Sequence, residues 1–377
     1  AKSLNAGATI MTLDKQFSMK TLTKAIGLTV ALAPVALSVT EAQAAERLML
    51  KTPTAFPTQL PAVGTPVSKL ADILNSTSGG AIRMRIYEPG KLIAPSEILD
   101  AVSAGKVNSG FAASANWQGK MPAAAFFTSV PFGPEASEFM AWMYYGNGRK
   151  LHQEMYDTSG YDVHAIPCGM IPPETSGWFA KPIDTVEDLK GLNMRFYGLG
   201  ANVMDKMGVG TVEIAPGEIF SALEKGAIDA AEFSLPQVDQ MLGFHKIVKY
   251  NYFPGWHQQT SMQELLINKK FWNKMDEQQQ ALVETACKAV VADSLAEGEA
   301  KQFEVLANAK KNGVEIRYWS DEILTAYNSA WNEVVEEQSA KDEFFKKVWT
   351  DLDGFRKQYD LWEKHAFLPR DTSGADR

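Results

Sequence analysis

Cysteine is scarce in this chain: Cys168 and Cys287 are the only two among 377 residues. Two thiols cannot supply the disulfide framework of a small, core-poor domain, and neither stands in a C-x-x-C or metal-finger spacing. The expectation is two separate, buried, inert side chains, with a bridge as the lesser alternative in an oxidising compartment. Long apolar runs are also missing, since no stretch reaches the ~18 residues that a membrane helix needs. Positive charge is in deficit, with 37 Lys and Arg against 45 Asp and Glu for a net charge of −8, and that sign disfavours nucleic acid as a partner. Catalytic signatures are wanting too: there is no G-x-S-x-G, H-E-x-x-H or G-x-x-x-x-G-K, and Gly198-Leu199-Gly200 lacks the third glycine of a dinucleotide loop. His152, His164, His245, His257 and His365 are spread without ligand spacing, so each on its own reads as structural.

What is present is ordinary globular material, 45% hydrophobic and 22% charged, and long enough for two lobes at ~100–200 residues per domain. The N-terminal segment stands apart from it. Lys20 and Lys24 precede a mostly apolar, uncharged stretch over 25–39, and small residues follow at Ala42, Ala44 and Ala45. These are the three parts of a secretory signal, with cleavage expected after Ala45. Pro34 argues against a buried helix there, and residues 1–18 are an upstream extension that adds nothing to the signal. No cysteine stands at the cut, which disfavours a lipid anchor. Removal takes away Lys2, Lys15, Lys20 and Lys24 with Asp14 and Glu41, so the exported chain carries −10 rather than −8 and is expected in the periplasm. Any anionic ligand must then be drawn in by local positive groups, not by the overall field.

Strands and helices alternate along the rest. Residues 47–52 and 81–87 alternate as strands, while Val67, Leu70, Ala71 and Leu74 give the helical spacing of 61–76. A helix over 95–105, a strand near 108–113 and helical stretches over 135–156 follow. Further strands are predicted at 162–167, 177–179, 193–196, 211–214 and 230–233, with helices starting at 184 and spanning 200–207 and 216–225. That order predicts an α/β fold of two lobes with mostly parallel sheets, a hinge cleft and long C-terminal helices. Residues 46–165 are assigned to lobe I with 231–260 returning to it, 166–230 to lobe II with 261–319, and 320–377 to C-terminal helices and tail. Beyond Leu265 the prediction is charged helices over 276–305 and 321–365 around a lone strand at 314–318. Phe344, Phe345, Val348, Trp349, Phe355 and Trp362 make the last helices too aromatic for a free tail, so they must pack on a lobe or on another subunit.

Polar residues set in apolar, aromatic stretches are the candidate site. Glu174 precedes Thr175-Ser176-Gly177-Trp178-Phe179, Arg195 lies within Asn193-Met194-Arg195-Phe196-Tyr197, Glu232 ends Ala230-Ala231-Glu232-Phe233, and Gln258 follows Pro254-Gly255-Trp256-His257. A guanidinium buried among aromatics is costly unless paired, and a ligand carboxylate is a natural fork-to-fork partner. An internal salt bridge from Arg195 to Glu174 or Glu232 serves equally well, and both possibilities stay open.

The runs Met194-Arg195 through Gly198-Leu199-Gly200, Val212-Glu213-Ile214-Ala215-Pro216-Gly217-Glu218-Ile219-Phe220 continuing to Glu232, Leu242-Gly243-Phe244-His245-Lys246 and Pro254-Gly255-Trp256-His257-Gln258 resemble the DctP-type binding proteins of TRAP transporters. Trp117-Gln118-Gly119-Lys120 and Val130-Pro131-Phe132-Gly133 fit the same pattern, so the likeness covers nearly all of 46–369. It is similar in particular to the branch that binds 2-oxo or 2-hydroxy monocarboxylates with a metal ion. The resemblance implies a periplasmic-binding-protein-like fold, no catalysis, a small organic acid anion as ligand and membrane permease subunits as partners. It implies that Arg195 clamps the ligand carboxylate and that Glu232, the Phe233 carbonyl and Gln258 ligate the ion. In the capture mechanism expected from this, Glu174 stands at the ligand and Trp117, Phe196 and Trp256 shut out water as the lobes close. A homodimer through the C-terminal helices is a further implication. Glu174 stands where sodium-binding relatives carry glutamine and Phe233 where they carry tryptophan, which leaves the ion open between Ca²⁺ and Na⁺; two carboxylates favour Ca²⁺. The rival expectation from another class is a secreted hydrolase using Glu174 and Glu232 as an acid and base pair around a metal.

Overall fold

The computed structural model describes residues 47–368; the expected signal segment lies outside them. Eleven strands occur among these residues: β1 (Leu48–Pro53), β2 (Ile82–Tyr87), β3 (Ser109–Ala112), β4 (Val163–Ile171), β5 (Gly177–Phe179), β6 (Asn193–Arg195), β7 (Gly210–Val212), β8 (Ala230–Ala231), β9 (Tyr250–Phe253), β10 (Ser261–Asn268) and β11 (Glu315–Tyr318).

Lobe I is built on β3-β10-β4, with the parallel pair β1-β2 laid beside it through a single parallel bridge from Thr54 to Phe111. Lobe II is built on the order β11-β9-β5-β8-β6-β7. Both lobes are α/β, as the alternation of strand and helix predicts. Every antiparallel pairing involves β5 or β10, the two strands that enter a sheet directly after the chain has crossed from the other lobe. The division of the chain at those crossings differs from the expected one. β9, within 231–260, and β8, which straddles the start of that range, belong to the lobe II sheet, whereas β4 and β10 belong to lobe I. The reason is that β10 is buried along all eight of its residues, so no polar alternation marks it as a strand.

The helix Thr65–Thr77 forms where expected, with Pro66 in its first turn and Val67, Leu70, Ala71 and Leu74 buried. The helix Glu277–Ala300 is capped by Asp276 and lies on β4. It buries Val283, Ala286, Cys287 and Val290 against Ile166, Cys168 and Leu265. That packing brings the Cα atoms of Cys168 and Cys287 to 4.4 Å, and the two form a disulfide. The expectation of separate inert thiols is therefore corrected: a separation of 119 residues in sequence carries no information about which face of a helix meets which strand.

The C-terminal stretch is two helices, Asp321–Lys341 and Glu343–Ala366, broken at Asp342, whose carboxylate caps Phe345 N–H at 2.8 Å. The first packs on lobe II: Tyr327 stacks on Trp256 at 4.4 Å, and Lys206 pairs with Glu337 at 2.7 Å. The second packs on lobe I, where Phe345 meets Phe126 at 4.4 Å and Asp351 accepts from Trp142 Nε1 at 2.8 Å. Phe345 and Trp349 thus find aromatic partners within the chain, whereas Trp362, near the end of the last helix, stays exposed.

Candidate ligand and cation site

Three segments, two of them crossings between the sheets and one leaving β8 within lobe II, meet beside the carboxyl end of β6, the position where open α/β sheets bind ligands. Residues 174–176 lead into β5, 232–234 leave β8, and 255–258 follow β9. Backbone hydrogen bonds tie them: Glu174 N–H donates to Gln258 O (3.3 Å), Thr175 N–H to Ser234 O (3.3 Å), and Glu232 N–H to Arg195 O (3.0 Å). Gly255 permits the first approach, because a Cβ there would stand 2.3 Å from the Glu174 carbonyl oxygen.

A cavity of about 390 Å³ opens at this junction. Arg195, Glu174, Tyr197, Glu213, Phe233, Ser234 and Gln258 line it from the crossing segments and lobe II, and Phe56, Ser96, Asn116 and Gln263 from lobe I. Arg195 is 5% exposed and lies over the Phe233 ring at 5.2 Å and the Tyr197 ring at 5.6 Å. Its Nη1 donates to Glu232 Oε2 (2.9 Å) and to the Glu232 carbonyl (2.5 Å), and its Nε to Ile214 O (3.3 Å). The internal ion pair and the cavity-facing guanidinium, posed as alternatives by the sequence, therefore coexist: Nη1 and Nε are held by the protein, and Nη2 has no partner among the described residues.

The acids are less well matched. Glu174 Oε1 accepts from Ser234 Oγ at 2.9 Å, yet its Oε2 is buried without a hydrogen bond, as is Glu232 Oε1. Ligand atoms of Glu174, Glu232 and His257 lie within 4.8 Å of one another. Burial, with the Glu232 charge adding to it, holds the Glu174 carboxyl well above the usual carboxylate range. Asp239, which braces the same turn by accepting from Trp178 Nε1 (2.8 Å) and Ser234 N–H (3.1 Å), is pushed up to about 8, chiefly by burial. Two orphaned carboxylate oxygens facing one guanidinium make a charge-unbalanced pocket, and a hard cation fits it: oxygen donors are what Ca²⁺ and Na⁺ take. The Gln258 amide oxygen, which accepts from Ser129 Oγ at 3.1 Å, lies on the same cavity wall.

Three aromatics expected at the ligand do not line the cavity. Phe196 is buried on the opposite side of its strand, against Trp256 (6.1 Å) and His257 (4.9 Å), because side chains alternate and Arg195 and Tyr197 take the cavity face. Trp256 is stacked between Phe132 (5.7 Å) and Tyr327 (4.4 Å). Trp117 is fully buried and donates from Nε1 to Glu264 (3.0 Å), which also accepts from Tyr156 and bonds His152. Its neighbour Asn116 reaches the cavity instead and accepts from the Tyr197 hydroxyl across the two lobes at 2.7 Å. Tyr197 was legible as the residue two beyond Arg195 on one strand face; Asn116, Gln263 and His257 carried no such signal.

A cavity walled by two α/β lobes, with one arginine and buried acids at its floor, is the ligand cleft of a hinge-type binding protein. The chain belongs to the bacterial extracellular solute-binding proteins of family 7, the DctP family, whose profile matches residues 57–342. It is 36% identical over 300 residues, 80% of this chain and 81% of the relative, to a monocarboxylate 2-oxoacid-binding periplasmic protein of Nostoc sp.. Among solved structures it is similar to a TRAP periplasmic solute-binding protein of Colwellia psychrerythraea with bound calcium and pyruvate, at 32% identity and a TM-score of 0.81, covering 85% of this chain and 98% of that one. The counterpart from Pseudoalteromonas atlantica, with bound sodium and pyruvate, matches at 31% identity and a TM-score of 0.81, covering 85% and 97%. These relatives are binding proteins, so the chain is a solute-binding protein and not an enzyme, and the hydrolase reading of Glu174 and Glu232 falls away. No helix among the described residues is long and apolar enough to cross a membrane.

Proposed function

We propose that this protein captures a small 2-oxo or 2-hydroxy monocarboxylate together with a cation in the periplasm and delivers it to the membrane permease subunits of a TRAP transporter. The observation that carries the reading is the pairing of unmet needs around one cavity: among the described residues Glu174 Oε2 and Glu232 Oε1 accept no hydrogen bond, the latter with only the His257 ring 3.4 Å away, and Arg195 Nη2 has no acceptor. Glu232, Gln258 and the Phe233 carbonyl would hold the ion, with Glu174 beside them. The ion supplies a positive charge to which a ligand oxygen can bind. Arg195 receives the carboxylate end-on through Nη2 and not as a free fork, since Nη1 stays with Glu232. Ca²⁺ is the favoured ion on charge, because two buried carboxylates leave a monovalent ion under-compensated.

Lobe closure buries the ligand, and the Tyr197 to Asn116 hydrogen bond across the cleft supports that step. A homodimer through the C-terminal helices belongs to the same reading; Leu361 and Trp362 are 67% and 61% exposed near the end of the last helix. The test is calorimetric titration of pyruvate into protein stripped with chelator and then supplied with calcium, sodium or neither. Binding that requires calcium is the expected result. Affinity indifferent to the ion removes the cation from the site, and no binding of any 2-oxo or 2-hydroxy acid overturns the reading.

A further inference from the structure

Arg195 is the one cationic side chain on the cavity lining, against Glu174 and Glu213. Glu213 is not accounted for by ion or carboxylate binding. It stands on the segment joining β7 to the helix Pro216–Glu224, at the mouth of the cavity and on its lobe II side. No hydrogen bond or ion pair among the described residues engages its carboxylate. Burial raises its proton affinity and the nearby Arg195 lowers it. Its charge is the largest ionic influence on the hydroxyl of Tyr197, a residue of the same cavity lining.

The charge inventory gives that position a consequence. Arg195 (+1) and a bound Ca²⁺ (+2) against the carboxylates of Glu174 and Glu232 (−2) leave one surplus positive charge, which one ligand carboxylate can use. A ligand with a second carboxylate would carry it toward the mouth, where the available charged group is Glu213. Size offers no such discrimination, because a cavity of about 390 Å³ holds more than a three-carbon acid. Discrimination by an unpaired like charge is how binding sites reject a competitor that would otherwise fit.

We propose that Glu213 is a specificity-determining residue, a fixed negative charge at the mouth that excludes dicarboxylates and leaves the cleft to monoanions. This rests on the carboxylate-binding reading of the same cavity. The readout is the ratio of dissociation constants for 2-oxoglutarate and pyruvate, by calorimetry with saturating calcium chloride, for the full chain, Glu213→Gln and Glu213→Asp. The unaltered protein should prefer pyruvate by at least roughly tenfold, the size of one unfavourable charge contact. Glu213→Gln should shrink that preference by at least about fivefold through tighter 2-oxoglutarate binding, and Glu213→Asp should keep it. Melting curves of the variants confirm that they are folded; the exposed position gives no reason for them not to be. An unchanged ratio in Glu213→Gln overturns the proposal, as does weaker pyruvate binding without any gain for the diacid, which would make Glu213 a group that positions Arg195. If the unaltered protein binds the diacid as tightly as pyruvate, the proposal fails while the carboxylate reading stands; if it binds neither, both fail.

Discussion

Replacing Arg195 with methionine separates what the arginine does for the fold from what it does for the ligand. Methionine keeps an unbranched apolar stem over Phe233 but removes both hydrogen bonds from Nη1 to Glu232, at 2.9 and 2.5 Å. Glu232 is 0% exposed, so its carboxylate is left buried and close to Glu174, with only the His257 ring at 3.4 Å beside it. Breaking a buried ion pair on one side costs about 3–5 kcal/mol. With an unfolding entropy of ~2.1 cal/mol/K per residue over residues 47–368, a loss of ~4 kcal/mol lowers the melting temperature by about 6 °C. The binding loss is distinct: one charge-assisted hydrogen bond to the ligand, ~1.5–3 kcal/mol, or roughly ten- to hundredfold in Kd for pyruvate. Calorimetric melting in chelator gives the first number, and titration with calcium gives the second. Adding Glu232→Gln to Arg195→Met should recover part of the melting temperature, because the orphaned charge is gone, and none of the binding. A melting temperature unmoved by Arg195→Met would refute the ion pair, and an unmoved Kd would place the carboxylate clamp on another residue.

Three further outcomes are expected. Cys168→Ala with Cys287→Ala should destabilise the protein by up to about 5 kcal/mol, from the loop-closure entropy of a link spanning 119 residues, and the unaltered protein should show no thiol to a thiol reagent when denatured without reductant. Titratable thiols in that sample would show the bridge is not made. Glu264→Gln leaves one of the donors Trp117, Tyr156 and His152 facing an amide nitrogen, so it should lower stability by ~1–3 kcal/mol while leaving pyruvate affinity close to normal; a large affinity loss would mean that Glu264 acts on the cavity. Tyr197→Phe removes the hydrogen bond to Asn116 and should speed pyruvate release about fivefold, read by stopped-flow tryptophan fluorescence; an unaltered release rate would show that this contact does not hold the lobes together.

The charged residues of the site were legible because a lone guanidinium or carboxylate in an apolar strand is costly enough to need a reason, and Arg195, Glu174 and Glu232 share one. The aromatics were not legible in the same way. Phe196 beside Arg195 and Trp256 beside His257 have the composition of a ligand wall, but the alternation of a strand and the turn of a loop decide which neighbour looks inward, and these look into the core. β10 was missed because a strand buried on both faces has no period to read, and its burial also hid Gln263, a cavity residue. The disulfide depends on a helix docking on a strand more than a hundred residues away in the chain, which no local pattern encodes.

The break at Asp342 has a mechanical consequence. One C-terminal helix is anchored to the lobe II framework through Tyr327 and Lys206, and the other to lobe I through Phe345, Asp351 and Arg356. Any swing of the lobes must therefore alter the angle between two rods that meet at a single extended residue. The pair forms an elbow that ties one lobe to the other, so the swing of the cleft is coupled to the bend at Asp342.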